Sequence, residues 1–275
     1  MTEPTQYAAP TEIDTAVPHS ARIWNYLLGG KDHYAVDRAA GDRVCAVFPG
    51  MVDITRHSRA FTGRVVRYLT GEAGITQFLD IGTGLPTVDN THEVAQREIP
   101  HARIVYVDND PLVLAHAQAL LTSTPQGATS YVHADIRDPA HILEAAARTL
   151  DLSRPVGLML MGVLGLVADR EEAREVTRRL LDALPAGSYL GLNDGSTTDP
   201  AYTEAIGRFN AGSGAVPYTP RTPAEIEQFF DGLELLEPGV VSCPHWRPEV
   251  LPFGMPAEIA VHGGLARKPW GVSST

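Results

Sequence analysis

The chain has 275 residues, 44% of them hydrophobic and 20% charged, enough apolar material for one large domain or two small ones and too much for bulk disorder. Twenty-two Lys and Arg against 33 Asp and Glu leave a formal charge of −11, which excludes general affinity for nucleic acid or for an anionic membrane, a local basic patch apart. The most apolar stretch, 156–168, contains three glycines and falls short of the about 20 apolar residues that a bilayer span needs.

Residues 1–19 are polar, carry Pro10 and Pro18, and lack the basic start and apolar run of a secretory signal, so they read as a flexible tail. From 20 to 72 no strand is evident. Residues 20–28 form a short helix with Ser20 as its cap and Gly29 as its stop, and 52–69 place Phe61, Val65 and Leu69 on one apolar stripe at i, i+4, i+8. This stretch reads as a helical lid over the remainder of the chain, without a linker of its own.

From 73 to 268 the pattern alternates. Strands are expected at 78–81, 103–107, 130–133, 156–163, 189–192 and 258–262, and helices at 90–99, 112–121, 140–150 and 171–184. Asp110-Pro111, Asp138-Pro139 and Asp199-Pro200 share one helix-starting device. The aspartate accepts orphan backbone N–H groups, and proline at the first helical position removes no donor that the helix needed. Such alternation predicts an α/β fold with a parallel, doubly wound, Rossmann-like sheet, followed by a short tail at 269–275. Cys45 and Cys243 stand too far apart in sequence for a thiol motif and give no disulfide framework or zinc cage, so a cytoplasmic setting is expected.

The strongest local signal is Phe78-Leu79-Asp80-Ile81-Gly82-Thr83-Gly84-Leu85-Pro86, a strand running into a glycine turn that lets a ligand approach the backbone. The nicotinamide pattern GxGxxG fails at Thr87. An acid two residues before the first glycine instead fits the turn used for S-adenosylmethionine, which has no pyrophosphate to place on a helix N-terminus. Asp108 ends the second strand, 24 residues after Gly84, where a carboxylate can accept both ribose hydroxyls. Asp135 ends the third and is placed to accept from the adenine amino group, with Ile136 as an apolar flank for the ring. Strand-end aspartates are also ordinary turn residues. Three of them in register with two glycines favour the ligand reading.

At these residues the chain resembles an S-adenosylmethionine-dependent methyltransferase family found mainly in actinobacteria, whose members are mostly of unknown substrate. The matching segments are SARIWNYLLGGKDHYAVDR at 20–38, FLDIGTGLPTVDNTHEVAQ at 78–96, ARIVYVDNDPLVLAHAQALL at 102–121 and HADIRDPAHIL at 133–143. ALPAGSYLGLNDG at 183–195 matches more loosely, and TPAEIEQFFDGLELLEPGVV with the following WRP covers 222–248. The resemblance implies a class I methyltransferase fold, a seven-stranded sheet with an antiparallel last strand, and S-adenosylmethionine bound by Asp80, Gly82, Gly84, Leu85, Asp108, Asn109 and Asp135. It also implies that Gly162, Val163 and Leu164, after the fourth strand, close over the methionine tail. Two departures stand out: Gly165 where the family often has histidine, and Asn193-Asp194 where it often has a Ser-His-like pair.

Other candidates have two accounts each. Gly30 and Lys31 fit a backbone folded over the cofactor with the lysine on its carboxylate, and equally a helix C-cap with a solvated lysine. Asn90 fits a contact to the methionine carboxylate, and equally a capping box with Glu93. Arg56 and Arg59 are of a type to neutralise a carboxylate, but read better as a solvated helix face. An acceptor pocket is expected from Tyr26, His33, Tyr34, Asn193, Tyr202, His245 and Trp246, with Trp24, Phe209 and Tyr218 of suitable type, although most such aromatics serve packing. Asp194, His33 and His245 are the candidates for a general base. Ten histidines form no HExxH or other zinc spacing, so no metal is expected.

The expected activity is methyl transfer to a small-molecule acceptor. A protein that binds the cofactor as a sensor without turnover is the second reading, kept open by Gly165 and Asn193-Asp194. No nucleic-acid or membrane partner is expected, and a homodimer is compatible with the sequence.

Overall fold

In the computed structural model, which describes residues 13–87, 89–120, 123–248 and 254–270, the apolar runs become strands of one sheet. β1 (Gln77–Ile81), β2 (Arg103–Asp108), β3 (Ala128–His133), β4 (Gly157–Met161) and β5 (Tyr189–Gly195) are parallel. β8 (Val261–Arg267) runs antiparallel to β5. The order is β3-β2-β1-β4-β5-β8-β6, with β6 (Glu234–Leu235) and β7 (Val241–Ser242) pairing with successive parts of β8. The seven-stranded path is therefore present, and the two-residue β7 makes an eighth strand. Strand order reverses between β1 and β4, so their carboxyl ends flank a switch point, the place where open α/β sheets take ligands.

Period-2 alternation sorts the strand residues onto two faces. Phe78, Ile104, Tyr106, Met159 and Leu265 face one cluster, while Leu79, Val105, Leu158, Leu190 and Ala266 face the other. The first cluster packs α1 (Ser20–Leu27), α2 (Ala35–Val47), α3 (Met51–Gly71), α4 (Thr91–Glu98) and α8 (Pro200–Gly212). The second packs α6 (Pro139–Ala146), α7 (Arg170–Asp182) and α9 (Pro223–Glu227). α5 (Pro111–Leu120) lies along β2 and β3. All three Asp-Pro pairs start helices: Asp110 accepts from Leu112 N at 2.9 Å, Asp138 from His141 N at 3.1 Å and Asp199 from Ala201 N at 2.8 Å. Among the described residues no helix is long and apolar enough to cross a membrane.

Four expectations need correction. The cap of α1 is His19, whose Nδ1 accepts from Ala21 N at 3.3 Å, rather than Ser20, which is the first helical residue. The tail does not extend to 19, because Ile13 packs on the Ala21, Leu85 and Leu112 cluster and the Asp14 carbonyl accepts from Arg22 at 2.7 Å; residues 1–12 and 271–275 lie outside the described residues. The late strand begins at Val261, not 258. Finally, residues 20–72 are not one lid. Phe61, Val65, Val66 and Leu69 of α3 are fully buried against the sheet. At about 1.5–3 kcal/mol per buried side chain, these four make α3 part of the core. α1 and α2 add Ile23, Leu27, Ala40 and Val44 to the same cluster.

Candidate active site

The carboxyl ends of β1 to β5, with α1, α3 and α8, enclose a cleft of about 260 Å³. That is near the lower end of small-molecule pockets, about 300–1,000 Å³. Its floor is the turn after β1. Gly82 and Gly84 have φ of +75° and +67°, a region that costs an L-residue about 1–2 kcal/mol. A Cβ on Gly82 would also lie 2.6 Å from the Val163 side chain. The turn is pinned to β2: Gly82 N donates to the Val107 carbonyl at 2.8 Å, and Gly84 N donates to Asp108 Oδ2 at 2.8 Å.

The strand-end acids differ in environment. Asp80 is 6% exposed and accepts from Thr91 Oγ1 at 2.6 Å. Burial pushes its carboxyl up to about 6, against the opposing pull of the Thr91 hydroxyl and the Arg59 guanidinium. Asp108 accepts from Gly84 N on one oxygen and from Asp110 N, at 3.0 Å, on the other. Burial raises it too. Each Asp108 oxygen keeps a second acceptor site beyond its backbone bond. Asp135 sits at the rim, where it accepts from Arg137 N at 2.9 Å and pairs with the Arg137 guanidinium at 3.2 Å. Ile136 is buried beside it, and Asn109 is exposed at the same mouth.

Beyond β4 and β5 the walls change character. Gly162, at φ +73°, donates to the Asn193 carbonyl at 2.8 Å, and Val163 follows it along the cleft. Asn193, Tyr202 and Phe209 line this end, with Ser58 and Thr62 facing them from α3. α3 also brings Arg59 into the cleft, donating to Asn90 Oδ1 at 3.0 Å. Burial lowers the Arg59 pKa, with Asp80 the largest opposing charge.

A family model described as S-adenosyl methyltransferase matches residues 6–269. The chain belongs to the S-adenosyl methyltransferase family. A DUF574 family protein from Streptomyces avermitilis is 46% identical, with a TM-score of 0.89 over 94% of this chain and 100% of that one. A proposed methyltransferase from Thermobifida fusca is 43% identical, with a TM-score of 0.85 over 93% and 97% of the two chains. A S-adenosylmethionine-dependent methyltransferase from Anabaena variabilis, 15% identical with a TM-score of 0.50 over 74% and 83%, shares the fold. No protein of curated function matches the sequence. The chain is thus an S-adenosylmethionine-dependent methyltransferase with the class I, Rossmann-like architecture.

In this methyltransferase the cleft gathers Asp80, Gly82, Gly84, Leu85, Asp108, Asn109, Asp135, Ile136, Gly162, Val163, Asn193 and Tyr202 from the expected set. The remainder lie off it. Leu164 is fully buried in the core of the opposite face. Gly30 is needed because a Cβ there would overlap the Asn25 side chain, which lines the cleft, and Lys31 is exposed. His33 also approaches Asn25, Nδ1 to Oδ1 at 3.5 Å, and meets the Tyr26 ring edge-on at 5.1 Å. Tyr26 donates to Asp42 at 2.6 Å, and Tyr34 caps α2. Asn90 caps α4, with its N–H donating to Glu93 at 2.8 Å, and its side chain supports Arg59. His245 bonds the Pro256 carbonyl at 2.8 Å, and Trp246 is fully buried against Phe61.

The methyltransferase's two departures have structural causes. A Cβ at Gly165 would overlap the Tyr218 ring, so the space a larger residue would need is filled by that tyrosine. Asp194 is not on the cleft. It is fully buried, accepts from the Tyr218 hydroxyl and pairs with Arg221 at 3.3 Å, and burial pushes it up to about 6. None of the three candidate bases, Asp194, His33 and His245, lines the cleft.

Two features are not legible in the sequence. Arg59 faces inward, whereas Arg56, three residues earlier, stays solvated with 70% of its side chain exposed. The second is a buried tether: Arg22 of α1 donates to Asp110 by Nε at 2.8 Å and Nη2 at 3.2 Å, with His19 Nδ1 3.2 Å from the same carboxylate. Asp110 thereby caps α5 and holds α1 over the cleft at once.

Proposed function

We propose that this methyltransferase acts on a small-molecule acceptor bound between the β4–β5 end of the sheet and the helices α1, α3 and α8. The observation that carries the reading is the convergence of Asp80, Asp108 and Asp135 with two left-handed glycines on one cleft. When bound, S-adenosylmethionine supplies a methyl carbon made electrophilic by its sulfonium.

The residues present fit that group. Asp108 offers two further acceptor sites on a carboxylate fixed by Gly84 and Asp110, which suits the two hydroxyls of a ribose. Asp135 and Ile136 lie one strand further out, toward the adenine. Asp80 and Arg59 form an acid–base couple on the other side of the turn, matched to the ammonium and carboxylate of an amino-acid tail. Gly82, Gly84 and Gly162 keep side-chain bulk out of its path. The chain's contribution to the reaction is then alignment of the two reactants and exclusion of water by α1, held by the Arg22–Asp110 tether.

A binding-only protein is not favoured, since Gly165 and Asn193-Asp194, which suggested it, are explained by Tyr218 packing and the Asp194–Arg221 pair. Isothermal titration with S-adenosylhomocysteine tests the binding, and no heat at millimolar ligand would remove the reading. A methyl-transfer screen against a metabolite extract tests turnover; its failure alongside tight binding would restore the sensor.

A further inference from the structure

The sheet order gives the cleft a direction. If the nucleoside occupies the β3–β2 end and the amino-acid tail crosses β1, the remaining space lies over β4 and β5, and the walls there belong to the acceptor. They are mostly apolar: Trp24, Leu28, Ile54, Ile206, Phe209 and Val216 come from α1, α3, α8 and the segments beside them, with the uncharged hydroxyls of Ser58, Thr62, Tyr202 and Tyr218 among them. Arg59 is the one charged side chain α3 contributes, and it lies toward Asp80 and Asn90 instead. Neither β5 nor α8 adds a charge to the lining.

Within this apolar end sits one anomaly. Asn193 is 1% exposed, and its Nδ2 donates to Ser58 Oγ at 3.0 Å. The same amide is in hydrogen-bonding contact with the buried Cys243 side chain. Its carbonyl oxygen Oδ1 is left buried without a hydrogen-bond partner. An unmatched buried acceptor is costly to keep, and a binding site is where such a cost has a use. A Cβ on Gly162 would lie 3.9 Å from this Oδ1, which sets the oxygen beside the β4 turn where the tail ends.

We infer that the acceptor is an uncharged, largely apolar molecule that presents a single N–H or O–H donor to Asn193 Oδ1. The inference rests on the cofactor reading above. The hydrogen bond would hold the acceptor's nitrogen or oxygen by its proton and turn a lone pair toward the methyl group. That lone pair would form the new bond to the methyl carbon while the carbon–sulfur bond breaks with its electron pair going to sulfur, and the methylated product would keep the acceptor's proton until it leaves the cleft and gives it to bulk water. Asn193 is a positioning and specificity residue in this scheme, not a base.

Ligand-observed NMR on the full-length protein saturated with S-adenosylhomocysteine tests it, with 2-naphthol, naphthalene and 2-naphthoate as probes of one shape. The expected ranking has 2-naphthol binding about tenfold more tightly than either of the others. Asn193→Leu should lower 2-naphthol to the level of naphthalene and leave naphthalene unchanged. The inference is overturned if 2-naphthoate binds as tightly as 2-naphthol, or if Asn193→Leu keeps the hydroxyl preference. The wild-type ranking alone decides the matter should that variant not fold. S-adenosylhomocysteine binding is measured first by titration, so its absence would sink the cofactor reading, whereas a flat ranking on loaded protein sinks only this inference.

Discussion

Replacing Asp108 by asparagine changes one oxygen into an NH2 group and removes a charge, with almost no change of shape. Two backbone N–H groups, from Gly84 and Asp110, point at the carboxylate from opposite sides. An amide has one acceptor oxygen, so one of these donors loses its partner, which costs about 1–3 kcal/mol of stability. A ribose loses more than half of its recognition: the hydroxyl facing the oxygen keeps a neutral bond, and the other meets an N–H. Charge-assisted bonds are worth about 1.5–3 kcal/mol, so the expected loss in affinity for S-adenosylhomocysteine is about ten- to 150-fold. Circular-dichroism melting separates the two effects, because the titration is read at a temperature where the variant stays folded. Asp135→Asn is the control: that acid is partly exposed and already paired with Arg137, so its loss should cost about threefold or less. An Asp108→Asn variant that binds within threefold of wild type would refute the ribose assignment.

Three further expectations rest on the same geometry. Arg59→Leu should weaken S-adenosylhomocysteine about tenfold or more but leave 5′-deoxy-5′-methylthioadenosine, which lacks the amino-acid tail, unchanged; equal losses for both would place Arg59 elsewhere. Asp80, pushed up to about 6 by burial, must ionise to hold an ammonium, so the dissociation constant should rise by up to about tenfold per unit as pH falls below 6. The folded chain holds that proton more readily than the unfolded one, so the same group adds stability as pH falls from about 7 toward 4. Its full range is about 3 kcal/mol, and Asp80→Asn should remove this part of the melting profile. Gly165→Ala should lower stability by about 1–3 kcal/mol by overlap with Tyr218, and cost much less in a Tyr218→Ala background; additive costs would contradict the packing account.

What can be read in the sequence is local. The glycine turn, the strand-end acids and the Asp-Pro helix starts each depend on neighbours a few residues away, and each forms as its chemistry requires. Arg59 escapes because an arginine between apolar positions looks solvated; only the packing of α3 against α4 and against β4, β5 and β8 turns it inward. The Arg22–Asp110 tether joins residues 88 apart, with no periodic signal to connect them. The pattern puts β8 too early because Gly263-Gly264 looks like a break in a strand. A Cβ at Gly263 would lie 2.6 Å from the Leu192 carbonyl and 2.9 Å from Phe61, so this glycine allows β8 to lie tight between β5 and α3, while Gly264 faces Leu235, Gly239 and Val240. The GGKD block, conspicuous in sequence, serves the packing of Asn25.

The most direct test is the structure of this protein co-crystallised with S-adenosylhomocysteine. The account predicts both ribose hydroxyls within about 2.5–3.0 Å of the Asp108 carboxylate and the amino-acid tail between Asp80 and Arg59. A nucleoside over Asn193, or an Asp108 side chain with no ligand oxygen beside it, would contradict it.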